Sequence, residues 1–287
     1  MIAFRNTYDS RKQEIDDFIE LMCFLEKKEN IKNDDDVSEF SKFFYQGNER
    51  ITMTYQAMIN ILKSNVSLMI YNIIEFTVSN LMDSIYDEIK INELSYIDVN
   101  DSIRALWRKT ILKSTNDPNA NFNTFLKKNE EIIDYIINKT TIEIHSRNAM
   151  PVGNLDGKSI KDTFQLHGIR LETDSRNYRP DILETIKQRR NDLAHGSVSF
   201  VDAVREDSIL DIKNNKTFVL NFLEELINIV NQYIENEEYK GDKSSMAIWN
   251  YINYLKNFSY TLMHVSFKVH IYIKVVSSNC RHFFTQI

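Results

Sequence analysis

Apolar residues recur at the spacing of an α-helix along most of this chain, and polar residues fill the positions between them. Charged runs, glycines and prolines separate these stretches. The pattern predicts helices over residues 8–28, 51–91, 100–114, 121–138, 159–167, 181–195 and 215–238. The fold class that follows is all-α, a helical bundle built around long central helices.

The longest of these stretches, residues 51–91, contains neither glycine nor proline and is apolar over much of its circumference. A helix of that kind lies at the centre of a bundle or in a dimer interface. Its most apolar part, residues 66–78, is interrupted by Asn72 and Glu75 and is too short to span a bilayer. Glu75 is either a paired carboxylate at the solvent edge or a partner for an arginine elsewhere in the fold.

The end of the chain has a different pattern. Apolar and polar residues alternate over residues 265–276, which is the period of a β-strand. A charged segment that contains glycine, residues 237–245, precedes it. We therefore predict a helical domain over residues 1–238 and a C-terminal extension of unknown role over residues 239–287, whose pattern allows a short β-strand.

Composition supports a helical fold and limits the ways of binding nucleic acid. Of the 287 residues, 43% are hydrophobic, enough for a sizeable core, and the 6 glycines and 3 prolines are few for a sheet with tight turns. The formal net charge of -6 provides no overall field that attracts RNA, so local cationic patches would be needed. Arg104, Arg108, Lys109 and Lys113 form one basic helical face, either a solvated surface or a track for an RNA backbone.

Several function classes lack their sequence signals. The chain has no glycine-rich phosphate loop, no HExxH and no nucleophile elbow, and its two cysteines, Cys23 and Cys280, have no metal-ligand spacing. We therefore expect neither a metal nor a cofactor. The N-terminal residues lack the apolar core of a signal peptide, so we expect a cytoplasmic protein without membrane association.

The helix predicted over residues 181–195 carries the candidate chemistry. Pro180 suits its start and Gly196 its end, and both Arg189 and Arg190 project from its apolar stripe. An arginine in an apolar stripe is costly unless it is paired, lies at an interface or belongs to a site. His195, at the end of the helix, carries the side chain best suited to proton transfer near neutral pH.

The segment RNDLAHG, residues 190–196, resembles the signature of HEPN domains, the helical ribonucleases of prokaryotic toxin–antitoxin and abortive-infection systems. The resemblance extends to the MAE_28990/MAE_18760-like HEPN branch. Residues 61–89 resemble its long central helix, residues 153–169 its linker helix, and residues 189–200 with 219–235 its motif and closing helices. The resemblance as a whole extends over roughly residues 10–238.

The resemblance implies metal-independent cleavage of RNA, in which the ribose 2′-hydroxyl attacks the adjacent phosphate. His195 would act as acid or base, Arg190 would bind the phosphate, and Asn191 would orient either the histidine or a phosphate oxygen. Arg189 and Asp192 are further candidates for substrate binding, although Asp192 could also be a surface carboxylate or a partner for Arg189. Only the family spacing favours Arg190 over Arg189 as the phosphate ligand.

Helix geometry restricts how such a site can form. Five residues along a regular helix place Arg190 and His195 about 140° apart around the axis. Either the helix ends at Ala194 and His195 swings round, or two chains pool their motifs in one cleft, as HEPN nucleases generally do. We therefore expect a homodimer that binds RNA, with the arginine stripe facing the partner chain. An unrestrained ribonuclease is lethal, so we also expect a cognate antitoxin or other inhibitor protein.

Two other interpretations remain open. The chain could be a non-catalytic HEPN-type module that binds RNA, a nucleotide or a partner protein. It could also be a structural helical protein in which Arg190 forms a salt bridge with Glu75 or another carboxylate.

Overall fold

A computed structural model describes residues 4–30, 55–113, 122–150, 153–172 and 175–241. The helices are α1 (Arg5–Asn30), α2 (Tyr55–Ile91), α3 (Asp101–Leu112), α4 (Phe122–Ile137), α5 (Ser146–Ala149), α6 (Gly157–Leu166), α7 (Pro180–Ala194) and α8 (Ile209–Glu235). Over these ranges β pairing is confined to isolated bridges, such as the one between Ser95 and Thr141, and no strand is present. The all-α prediction is therefore confirmed.

The chain divides into a unit of residues 1–239 and a unit of residues 240–287. The strand predicted over residues 265–276 lies outside the described residues.

The helix α8 begins earlier than the sequence pattern indicates. Its first residue is Ile209, whereas the pattern predicts a start at 215. The reason is a capping box, in which the Ser208 side chain accepts from the Asp211 backbone N–H and the Asp211 side chain accepts from the Ser208 backbone N–H. This signal precedes the closely spaced apolar residues of the helix, so periodicity alone misses it.

The helix α2 is the centre of the fold and packs against α1, α7 and α8. Its inward side chains are almost completely buried, among them Val66, Ile70, Ile74, Val78 and Leu81. Each such side chain contributes about 1.5–3 kcal/mol through its removal from water. By length and composition alone, Gln56–Ile91 could cross a membrane, and 56% of its most apolar window is buried inside the fold. A core helix meets the same length and composition criteria.

Polar side chains near the start of α2 anchor the segment that joins α7 to α8. They donate to main-chain carbonyl oxygens: Asn60 to Val201 (3.1 Å), Ser64 to Phe200 (2.6 Å), and Lys63 to Val204 (3.2 Å) and Asp207 (2.6 Å). Burial lowers the pKa of the Lys63 ammonium group. These bonds satisfy polar groups that would otherwise be buried without partners, and they hold the segment after His195 against α2.

Close backbone packing joins α6 to α7. Gly157 is buried at the start of α6, and a Cβ atom there would lie 2.9 Å from the Cα and Cβ atoms of Pro180. Only glycine permits this approach. The chain before α6 is therefore held close to the helix that carries the motif.

His167, just after α6, is a buried structural histidine. Its Nδ1 lies 2.7 Å from the Thr163 carbonyl oxygen and its Nε2 lies 2.5 Å from the Tyr86 hydroxyl. Since a carbonyl can only accept, Nδ1 carries the proton and Nε2 accepts from Tyr86. Burial lowers the pKa of His167 to about 4.

This pKa predicts that stability depends on pH. The ordinary pKa of 6.5 is regained on unfolding, so between pH 6.5 and about 4 the unfolded chain binds the proton that the folded chain excludes. The free energy of unfolding should therefore fall by about 3 kcal/mol as the pH drops through this window. Urea unfolding at several pH values measures it, with His167→Gln as the non-titrating control. A slope equal to that of the control would contradict the prediction.

Candidate active site

The end of α7 is a Schellman motif that fixes the position of His195. Gly196 has φ +69, its N–H donates to the Leu193 carbonyl at 3.3 Å, and the Ser197 N–H donates to the Asp192 carbonyl at 2.9 Å. A Cβ atom at Gly196 would meet nothing within 4 Å. Glycine is therefore required here for its left-handed conformation and not for space.

His195 continues the helical path and remains exposed to solvent. It has φ -89 and ψ -3, and its N–H donates to the Asn191 carbonyl at 2.9 Å, the helical i to i−4 bond. The helix thus ends at Ala194, as one of the two interpretations requires, but the backbone of His195 keeps a near-helical conformation and does not itself turn toward Arg190. Its imidazole forms no hydrogen bond, ion pair or ring contact with any described residue.

Arg190 lies half-buried and is oriented by two acceptors and an aromatic ring. Its Nη1 donates to the Gly153 carbonyl at 3.2 Å and to the Asn191 side-chain oxygen at 3.0 Å. Its guanidinium carbon lies 5.0 Å from the centroid of the Tyr71 ring, a cation–π contact. The Nη2 and Nε atoms donate to none of the described residues, which leaves donors for a bidentate contact with a phosphate.

Residues 153–156, here called the Gly153 loop, form hydrogen bonds with both α2 and α7. The Glu75 carboxylate accepts from the Gly153 N–H at 2.7 Å, and the Tyr71 hydroxyl accepts from the Leu155 N–H at 3.1 Å. The Asn191 amide donates to the Asn154 side-chain oxygen at 3.1 Å. Burial raises the pKa of the Tyr71 phenol, so the hydroxyl stays neutral beside these charges.

Glu75 and Arg190 bind the same residue but not each other. Glu75 accepts a hydrogen bond from the Gly153 N–H, and Arg190 donates one to the Gly153 carbonyl. The Glu75 and Arg190 side chains form no ion pair. The interpretation of Arg190 as the salt-bridge partner of Glu75 is therefore wrong.

The other two cations of α7 have carboxylate partners. Arg189 pairs with Asp207 at 2.6 Å, and the two side chains are only 12% and 24% exposed. Lys187 pairs with Asp156 at 2.6 Å and with Glu184 at 2.8 Å. Within the described ranges, Arg190 is thus the cation of α7 without a carboxylate partner.

These pairings change the expected roles of two candidate residues. Arg189 Nη1 also donates to the Ser67 hydroxyl at 3.4 Å, so this donor points into the fold. Asp192 accepts from the Gln188 amide at 2.9 Å and does not pair with Arg189. It borders a pocket that also contains Arg189, Glu184 and Asp202.

The arginine stripe of α7 is explained within one chain. Arg189 reaches Asp207, and Arg190 reaches Gly153 and Tyr71. Both arginines are thus stabilised without a partner chain, and these contacts do not test the expectation that the stripe faces a partner.

The basic face predicted on α3 has fewer cations available to a ligand than the sequence indicates, because Arg104 is bonded within the fold. Arg104 donates to the Tyr96 carbonyl at 2.9 Å and to the Ile97 carbonyl at 2.8 Å, and pairs with Asp101 at 2.9 Å. It therefore supports the chain before α3. The exposed Arg108 and Lys109 remain on that face.

Sequence reasoning identified Arg190, Asn191 and His195 but missed the residues that hold them. The sequence pattern places Gly153 and Asn154 only in the segment that resembles the linker helix, and Tyr71 only in the long apolar helix. In the described ranges, no group of three His, Cys, Asp or Glu side chains could hold a metal ion.

A family model for the MAE_28990-like HEPN domain matches residues 4–239. The chain belongs to this HEPN family. HEPN domains are commonly endoribonucleases, and this match agrees with the resemblance carried by residues 190–196. No curated protein and no solved structure matches the chain.

The pairing pattern of α7 predicts different stability effects for the two HEPN arginines. Arg189→Ala leaves the largely buried Asp207 without its partner and should lower the free energy of unfolding by about 3 kcal/mol. Arg190→Ala removes one carbonyl bond and a cation–π contact and should cost about 1 kcal/mol. Urea denaturation measures both. Equal losses of unfolding free energy in Arg189→Ala and Arg190→Ala would contradict the different pairing of the two arginines. So would a loss in the Arg189→Ala/Asp207→Ala double variant that equals the sum of the two single losses, because paired residues should not be additive.

Proposed function

We propose that this HEPN protein is a metal-independent endoribonuclease that acts as a toxin or antiviral effector. One observation carries the proposal: α7 holds a single oriented cation without a carboxylate partner, Arg190, and ends on the exposed imidazole of His195. A phosphodiester substrate needs a cation of this kind at the phosphate and a group that exchanges protons near neutral pH.

The proposed reaction is an internal transesterification. The ribose 2′-hydroxyl loses its proton and attacks phosphorus, the bond from phosphorus to the 5′-oxygen breaks, and that oxygen gains a proton. The products carry a 2′,3′-cyclic phosphate and a 5′-hydroxyl. His195 would serve as one proton-transfer group, and Arg190 would stabilise the charge that develops on the phosphorane oxygens.

Asn191 supports this chemistry by orienting Arg190. Its side-chain oxygen accepts from Arg190 Nη1, and its amide is fixed by Asn154. Of the two roles that the resemblance allowed, orientation of the histidine has no contact in its favour among the described residues. A contact from Asn191 to a phosphate oxygen would have to form with the substrate.

The active unit we propose is a homodimer. His195 keeps its helical backbone position, and five residues along a regular helix place Arg190 and His195 about 140° apart around the axis. We therefore propose that the two residues act on one phosphate only when two chains combine. A two-fold axis beside α7 would bring Arg190 of one protomer near His195 of the other. We further propose RNA as substrate, a cognate antitoxin as inhibitor and the cytoplasm as the site of action.

Cleavage should depend on both motif residues. His195→Ala and Arg190→Ala should each lower the rate of RNA cleavage by about 100-fold or more, because each removes a group that acts in the transition state. Cleavage by the wild type should persist in EDTA and leave 5′-hydroxyl and 2′,3′-cyclic phosphate ends. Gel analysis of purified RNA and growth after induced expression measure both effects.

His145→Ala is the matched control, since His145 is also exposed but lies at the start of α5, outside the proposed site. It should cleave as the wild type does. Folded wild-type protein that binds RNA or nucleotide without cleaving it would overturn the proposal and favour the non-catalytic HEPN module.

Complementation tests the composite site. When Arg190→Ala and His195→Ala chains are co-expressed, half of the dimers are mixed and each mixed dimer regains one of two sites. About a quarter of the wild-type activity should therefore return. Failure of the mixture to regain activity, or a monomer in solution at micromolar concentration, would contradict the dimer.

A further inference from the structure

We infer that Glu75, on α2, is a positioning residue for Arg190 and acts through the backbone of Gly153. This inference rests on the proposed nuclease function. Glu75 accepts the Gly153 N–H at 2.7 Å, and the Gly153 carbonyl accepts from Arg190 Nη1 at 3.2 Å. A carboxylate on the core helix thereby determines where the guanidinium of α7 lies.

The conformation of Gly153 makes this link specific. Its φ of +79 is in the left-handed region, where residues with a side chain are strained. A Cβ atom built there would lie 3.7 Å from Arg190 Nη2, so the loop backbone passes directly against the guanidinium. In this conformation Gly153 presents its N–H to α2 and its carbonyl to α7.

The arrangement orients the arginine without neutralising it. A carboxylate in direct contact would occupy donors that a phosphate needs. Glu75 instead accepts an amide N–H and leaves Nη2 and Nε of Arg190 without a described partner. Arg190 thus keeps its charge and its free donors while its position is constrained.

A second contact leads from the same loop to the same guanidinium. Asn154 accepts from the Asn191 amide, and the Asn191 oxygen accepts from Arg190 Nη1. The loop itself is also fixed to α2 by the bond from the Leu155 N–H to Tyr71. Glu75 and Tyr71 thus provide two hydrogen bonds between the Gly153 loop and α2, and loss of Glu75 removes one of them. A displacement of the phosphate-binding group by about 1 Å can lower a rate by about 100-fold.

The test compares two substitutions of Glu75 by single-turnover RNA cleavage with full-length protein. Glu75→Ala should lower the rate by about 10- to 100-fold. Glu75→Gln retains a side-chain oxygen that accepts the Gly153 N–H and should stay within about 3-fold of the wild type. If Glu75→Gln falls as far as Glu75→Ala, a role for the acceptor is excluded and the inference fails.

Asp83 provides the matched control. It is another carboxylate of α2, and it accepts the Ser146 N–H at 3.3 Å and the Ser146 hydroxyl at 3.1 Å, at the start of α5. Asp83→Ala removes a comparable contact with no connection to Arg190. It should cleave RNA as the wild type does, whatever its effect on unfolding in urea.

A double variant separates positioning from a general loss of structure. If Glu75 acts through Arg190, Glu75→Ala should cause no further loss of cleavage in an Arg190→Ala background. Additive losses would overturn the inference. If the wild type cleaves RNA and Glu75→Ala cleaves equally well, the role of Glu75 is refuted and the nuclease function stands. If the folded wild type does not cleave RNA, the proposed nuclease function is refuted.

Discussion

The position of the motif helix α7 depends on hydrogen bonds between polar side chains of the core helix α2 and the backbone segments before and after α7. Before α7, Glu75 and Tyr71 accept backbone N–H groups of the Gly153 loop. After α7, Lys63 and its polar neighbours donate to backbone carbonyls of the segment that leads to α8. Polar groups on such an apolar helix are costly unless they are bonded, and these side chains each fix a main-chain group near the motif.

Charge is distributed unevenly along α7, and this distribution separates structural cations from a candidate ligand. Lys187 and Arg189 are each paired with a carboxylate, whereas Arg190 contacts only neutral acceptors and the ring of Tyr71. Two adjacent arginines thus have different roles, because a step of one residue turns the side chain by about 100°. A chain with a net charge of -6 gains little from long-range attraction of RNA, so such an unpaired cation matters more.

Local signals predicted most of the fold, whereas the supports of the site depend on distant contacts. Pro180 and Gly196 bounded α7 correctly because helix starts and stops are determined by nearby residues. The start of α8 was misplaced because its capping box lies outside the run of apolar residues. The bond from Arg190 to Gly153 joins residues 37 positions apart, and nothing in a single sequence pairs a turn carbonyl with one of two neighbouring arginines. The partner of Arg189, Asp207, was missed for the same reason.

The Schellman motif after α7 has a consequence for how the site can be assembled. It keeps His195 on the helical path, exposed, while Arg190 turns toward the Gly153 loop. The helix end thus fixes the backbone of His195, whereas contacts with the Gly153 loop and the Tyr71 ring fix the guanidinium of Arg190. In the arrangement we propose, a monomer would bind a phosphate without a proton-transfer group beside it. In the proposed dimer, cleavage would require association, so an inhibitor that blocks the dimer surface could silence the enzyme without contacting Arg190.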